Sequence, residues 1–63
     1  MENEVIKIMK NMESIFETAA TDATKFAEGN NSAGTRVRKA MQSIKSLAQE
    51  LRIEVQNQKN TEF

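Results

Sequence analysis

Cysteine, histidine, proline, tryptophan and tyrosine are all missing from this sequence, and glycine occurs only twice. Without Cys or His there is no structural zinc site, no thiol nucleophile and no imidazole for acid–base work. The lack of Cys also gives no sign of an oxidising compartment, and Met1-Glu2-Asn3-Glu4-Val5 is acidic where a secretory signal is positively charged. The expectation is an intracellular protein. No apolar run exceeds three residues, far below the roughly 20 needed to span a bilayer, so no membrane segment is expected. An excess of charge of one sign is missing too: nine basic and nine acidic residues leave a formal net charge of zero. That argues against the unspecific phosphate attraction of a strongly basic protein.

What is present is helical periodicity. Val5, Met9, Met12, Phe16, Ala19, Ala23 and Phe26 follow an alternating four-three spacing, the seam of a coiled-coil-like helix. Val37, Met41, Ile44, Ala48, Leu51 and Val55 repeat it in the second half. Ile8 and Ile15 widen the first stripe and Ala40 and Leu47 the second, so each apolar face is broader than a two-stranded seam requires.

Between the halves lies Gly29-Asn30-Asn31-Ser32, the chain's one helix-breaking signal. Gly29 can take the left-handed conformation that ends a helix, and Asn30 and Ser32 are both suitable N-caps. The fold expected is all-α: an antiparallel two-helix hairpin forming one domain over residues 1–63, with helices over about 3–28 and 32–57 and a turn at 29–31. Each helix would be roughly 35 to 40 Å long at 1.5 Å per residue. Beyond Val55 the apolar period stops, and a frayed end is expected, with Phe63 loose or packed on a neighbour. Ala19, Ala20, Ala23, Ala27, Ala33 and Gly34 gather small side chains at the turn end, where the helices can approach closely. A chain of 63 residues buries too little surface to be comfortably stable alone, so the hairpin is expected to dimerise into a four-helix bundle. Met9, Met12, Phe16, Val37, Met41, Ile44 and Leu51 would form its seam.

Zero net charge conceals an asymmetry. Through Gly29 there are six acids against three lysines, and from Asn30 onward the balance reverses to plus three. Arg38, Lys45, Arg52 and Lys59 recur every seven residues along one edge of the second helix, and Arg36 and Lys39 enlarge the cluster near the turn. Such a line suits a phosphate backbone, because Arg and Lys make charge-assisted hydrogen bonds to phosphate oxygens. Equally, bases flanking a seam pair with acids on the neighbouring helix or stay solvated. In an antiparallel hairpin Lys45 would approach Glu13 and Arg38 would approach Asp22, leaving Arg36, Lys39 and Arg52 for an outside partner.

Other chemistries lack support. Only Phe16, Phe26 and Phe63 are available to stack on bases, so base readout is not expected. Gly29 and Gly34 do not form a phosphate loop, since no Gly-Lys-Ser/Thr follows. Glu50 and Glu54 share a helix face, yet carboxylates without His make a weak, open metal site and a thin bundle has no dry pocket. The expectation is no enzyme, no cofactor and no small-molecule substrate. Anionic lipid would be repelled by Glu2, Glu4, Glu13 and Glu17 on the first helix.

Gly29-Asn30, Ala33, Arg36-Val37-Arg38 and then Ala48, Arg52 and Glu54 resemble the helical core of the chlamydial and bacterial linker-histone-like family, mainly across residues 28 to 55. The likeness is to a short form without the Lys-rich tail of its DNA-condensing members, and Asn31 stands where the family often has Lys. The resemblance implies binding of double-stranded DNA in the nucleoid, with Arg36, Arg38 and Arg52 the matched positions that touch phosphate; Lys39 and Lys45 join them as candidates from the charge spacing, not from the resemblance. The alternative from the residues alone is a structural helical-hairpin scaffold that self-assembles, as in a virus particle, without binding DNA.

Overall fold

The computed structural model describes residues 3–60. Within them the chain forms two helices and no strand: α1, Glu4–Ala27, and α2, Asn31–Asn60, folded back on one another as an antiparallel hairpin. Local chemistry sets each boundary. Asn3 is extended, and its side-chain oxygen accepts a 2.7 Å hydrogen bond from the Val5 amide, capping the first turn of α1. At the other end the Gly29 amide donates to the Phe26 carbonyl and the Asn30 amide to the Lys25 carbonyl, the paired bonds of a Schellman ending. This closure needs a left-handed residue, and Gly29 supplies it with φ of +106°.

Asn30 then serves the next helix. Its side-chain oxygen accepts from the Ala33 amide at 3.1 Å, so of the two possible caps Asn30, not Ser32, starts α2. Only Glu28, Gly29 and Asn30 separate the helices. The tight connection forces them close together, and Ala19 and Ala33 make that approach possible: they are 5% and 0% exposed.

The contact between the helices has a heptad spacing. On α1 the buried and half-buried positions are Val5, Ile8, Met12, Ile15, Ala19 and Asp22; on α2 they include Ala33, Val37, Ala40, Ile44, Leu47, Leu51, Glu54 and Gln58. Of the expected seam, Met12, Val37, Ile44 and Leu51 line this contact, whereas Met9, Phe16 and Met41 stand beside it, between 39% and 49% exposed. The broad stripe contains two overlapping seams, and the one with Ala33 and Ala40 at its centre lets the backbones come closer than Phe16 and Met41 would allow. Only Ile8, Ala19 and Ala33 are buried apolar residues among those described, so one hairpin has a thin core.

α2 stays helical through Asn60, past the point where the apolar period ends. A polar clasp accounts for this. The Asn3 and Gln58 amide groups exchange hydrogen bonds of 2.9 and 3.0 Å, and Gln58 also donates to Glu54 at 3.2 Å. Phe63 lies outside the described residues.

Candidate nucleic-acid interface

Each helix presents, one residue after its seam positions, a second row of apolar or small residues. On α1 these are Met9, Phe16 and Ala23, and on α2 Gly34, Met41, Ala48 and Val55. An antiparallel pair has a local two-fold axis perpendicular to its plane, so equivalent heptad positions of both helices lie on one face. The Phe26 ring confirms that geometry by lying over Gly34, so close that a Cβ there would sit 2.5 Å from it. The opposite face carries Thr18 and Lys25 from α1 and Arg36, Ser43 and Glu50 from α2, and is polar.

Charge is divided between the helices. Described α1 has four acids against three lysines; α2 has six basic residues against two acids. Arg38, Lys45, Arg52 and Lys59 are all exposed and form a row on the outer edge of the apolar face, the first three of them three residues before an apolar one: Arg38 before Met41, Lys45 before Ala48, Arg52 before Val55. Successive members are about 10.5 Å apart and the row spans about 32 Å, at 1.5 Å rise per residue. Arg38 also borders the apolar cleft made by Phe26, Gly34 and Val37.

The other basic residues are placed differently. Arg36 Nε donates to Asp22 Oδ1 at 3.0 Å across the hairpin. Asp22, not an apolar residue, occupies the seam and is only 8% exposed, so its carboxylate needs this partner. The pairing of Asp22 with Arg38 expected from sequence does not form, because Arg36 and Arg38 are two residues apart and point to opposite faces. Lys45 and Glu13 do not pair within the chain either: both lie on outer rims of the apolar face. Lys39 stands on the polar side, at the groove with Arg36, Ala40 and Ser43. Among the described residues, Arg38, Lys39, Lys45 and Arg52 have no carboxylate partner.

Glu50 and Glu54 do not act as a pair. Glu54 is half-buried and accepts from Gln58, while Glu50 is exposed beside Ser46 and Lys45. What the arrangement offers is a row of exposed cations along one helix, the kind of surface that suits a polyanion. Among the described residues no helix is long and apolar enough to cross a membrane.

The family model described as histone H1-like protein Hc1 matches residues 6–61, extending over both helices the likeness carried by the turn and its Arg-Val-Arg. No curated protein and no solved structure matches the chain.

Proposed function

The chain belongs to the histone H1-like protein Hc1 family, and from that premise we propose that it is a nucleoid-associated protein that binds double-stranded DNA without sequence preference. The observation that carries this reading is the exposed row of Arg38, Lys45, Arg52 and Lys59 on α2. The mechanism is phosphate neutralisation: the cations displace condensed counterions along the duplex, and no aromatic platform is needed. Lys39 adds a charge from the other side, and Arg36, half-exposed, offers its remaining guanidinium donors while holding Asp22. The hairpin acts as a dimer, a four-helix bundle that doubles the number of contacts. It works at the nucleoid, and no enzyme chemistry enters this reading.

Fluorescence anisotropy of a labelled duplex, titrated with the protein at low and at moderate salt, tests this. About three phosphate contacts per protomer give a dimer about six, so affinity falls roughly a thousandfold between 50 and 200 mM salt. Binding that ignores salt, or no binding by the folded protein at 50 mM salt, overturns the reading. The second outcome favours a helical scaffold, for which the exposed apolar face of Met9, Phe16, Met41 and Val55 argues on its own.

A further inference from the structure

We propose that the apolar face bearing Met9, Phe16, Met41, Ala48 and Val55 is covered by a second copy of this chain. The two copies are related by a two-fold axis parallel to the helices, with α1 of each lying on α2 of the other. The inference rests on the dimeric part of the reading above and specifies its face and its topology.

Three observations carry it. The first is area. The helices overlap along the 24 residues of α1, roughly 36 Å at 1.5 Å per residue, and the hairpin is 19 Å wide. A face of that size is roughly 700 Å², close to the ~800 Å² per partner of a standard stable interface. Five of its large apolar side chains, Met9, Phe16, Phe26, Met41 and Val55, are 39% to 52% exposed in the single hairpin.

The second is charge. The rim of this face on α2 is the cationic row Arg38, Lys45, Arg52 and Lys59; the equivalent rim on α1 is Ile6, Glu13, Ala20 and Ala27. Stacking α2 on α2 of the second copy would align two cationic rows with no acid between them. Stacking α1 on α2 sets each cationic row against a rim whose single charge is Glu13.

The third is register. Asp22 and Arg36 are paired across the hairpin, and nine residues back along α1 and nine forward along α2 lie Glu13 and Lys45, which are therefore level. An axis parallel to the helices preserves level. Glu13 of one copy then meets Lys45 of the other, the pairing that a single hairpin cannot make. The two cationic rows end on opposite sides of the bundle, so one dimer can touch two duplexes.

The chain has no cysteine, which makes the test direct. Glu13→Cys, Lys45→Cys and the double variant are prepared without DNA, checked for wild-type helicity, and treated with a short bis-maleimide. The expected result is a mass of twice 7.1 kDa for the wild type by light scattering, covalent dimers from the double variant, and none from either single variant. Cross-linking of Lys45→Cys alone would place α2 on α2 and overturn the topology, and a wild type of monomer mass would overturn the interface itself. A wrong topology leaves the DNA titration untouched, and a monomer would halve the number of phosphate contacts and so weaken its salt dependence without abolishing binding, so failure of the interface and failure of DNA binding are told apart.

Discussion

Arg36 and Asp22 form a charged contact within the seam of the hairpin, with Nε 3.0 Å from Oδ1 and the Asp22 side chain 11% exposed against 49% for Arg36. Removing the two partners therefore has unequal consequences. Arg36→Ala strands a nearly buried carboxylate, whereas Asp22→Leu leaves a cation that water can reach and fills the seam. A fully buried pair broken on one side costs about 3–5 kcal/mol; with Arg36 half in water the expected loss for Arg36→Ala is about 1–2 kcal/mol, and Asp22→Leu is expected to be neutral or stabilising. Urea unfolding at a fixed protein concentration measures both. Equal losses would show that the pair contributes through mutual attraction and not through rescue of Asp22.

The face on which a cation sits should decide its part in DNA binding. Arg38 and Arg52 belong to the exposed row, while Lys39, although next to Arg38 in sequence, stands on the polar side of the hairpin. Arg38→Glu with Arg52→Glu is expected to lower duplex affinity on the order of a hundredfold in 50 mM salt and to reduce the salt slope by about 2 per protomer. Lys39→Glu is expected to change affinity less than about fivefold. Arg36 is a poor probe for this purpose, since Arg36→Glu would set two carboxylates against each other at the seam. An equal response of Lys39 and the row would mean that the protein's overall field, not an edge of α2, recognises the duplex.

Both helices and the turn between them were legible because Gly29-Asn30 is the only interruption in two unbroken apolar periods. Less legible was which way each helix turns. Ile8 and Met9, Ile15 and Phe16, and Ala40 and Met41 are adjacent apolar pairs, and the seams they define differ by a rotation of about 50° at 3.6 residues per turn. Periodicity cannot choose between them. The choice is steric, made by Ala19 and Ala33 under a three-residue connection. Asp22 in the seam was hidden for a different reason: an acid reads as surface until its partner is known, and spacing alone assigns that partner to Arg38 and leaves Arg36 free, whereas the helix turns Arg36 toward Asp22 and Arg38 away. The spacing of Arg38, Lys45, Arg52 and Lys59 is plain in the sequence, but that Arg38, Lys45 and Arg52 have no carboxylate partner among the described residues depended on that rotation.

The turn should be sensitive to one backbone position. Gly29 has φ of +106°, and although nothing lies within 4 Å of where its Cβ would be, an L side chain is strained there. Gly29→Ala is expected to destabilise the hairpin by about 1–2 kcal/mol, and Gly29→Asn by less, since Asn tolerates positive φ better. Thermal unfolding followed by circular dichroism separates the two. Gly34 behaves in another way: it is helical, and a methyl there meets the Phe26 ring. Gly34→Ala gains about 1 kcal/mol of helix propensity but must push Phe26 outward, so its effect on stability is expected to be small and its effect on the apolar face large.

The open end of the hairpin depends on Asn3 more than on its exposure suggests. One amide group caps α1 through Val5 and exchanges two hydrogen bonds with Gln58, 55 residues away in sequence. Asn3→Asp retains an acceptor for the Val5 amide but cannot donate to Gln58; Asn3→Ala loses both. The cap alone is worth about 1 kcal/mol, and an exposed amide pair adds about 0.5–1.5 kcal/mol. Hydrogen exchange should then distinguish them. Asn3→Asp is expected to raise exchange only in the last turn of α2, around Gln58 to Asn60, while Asn3→Ala raises it there and in the first turn of α1. If Asn3→Asp left the end of α2 fully protected, the helix beyond Val55 would owe its persistence to its own propensity, and the clasp would be a consequence of the fold and not one of its supports.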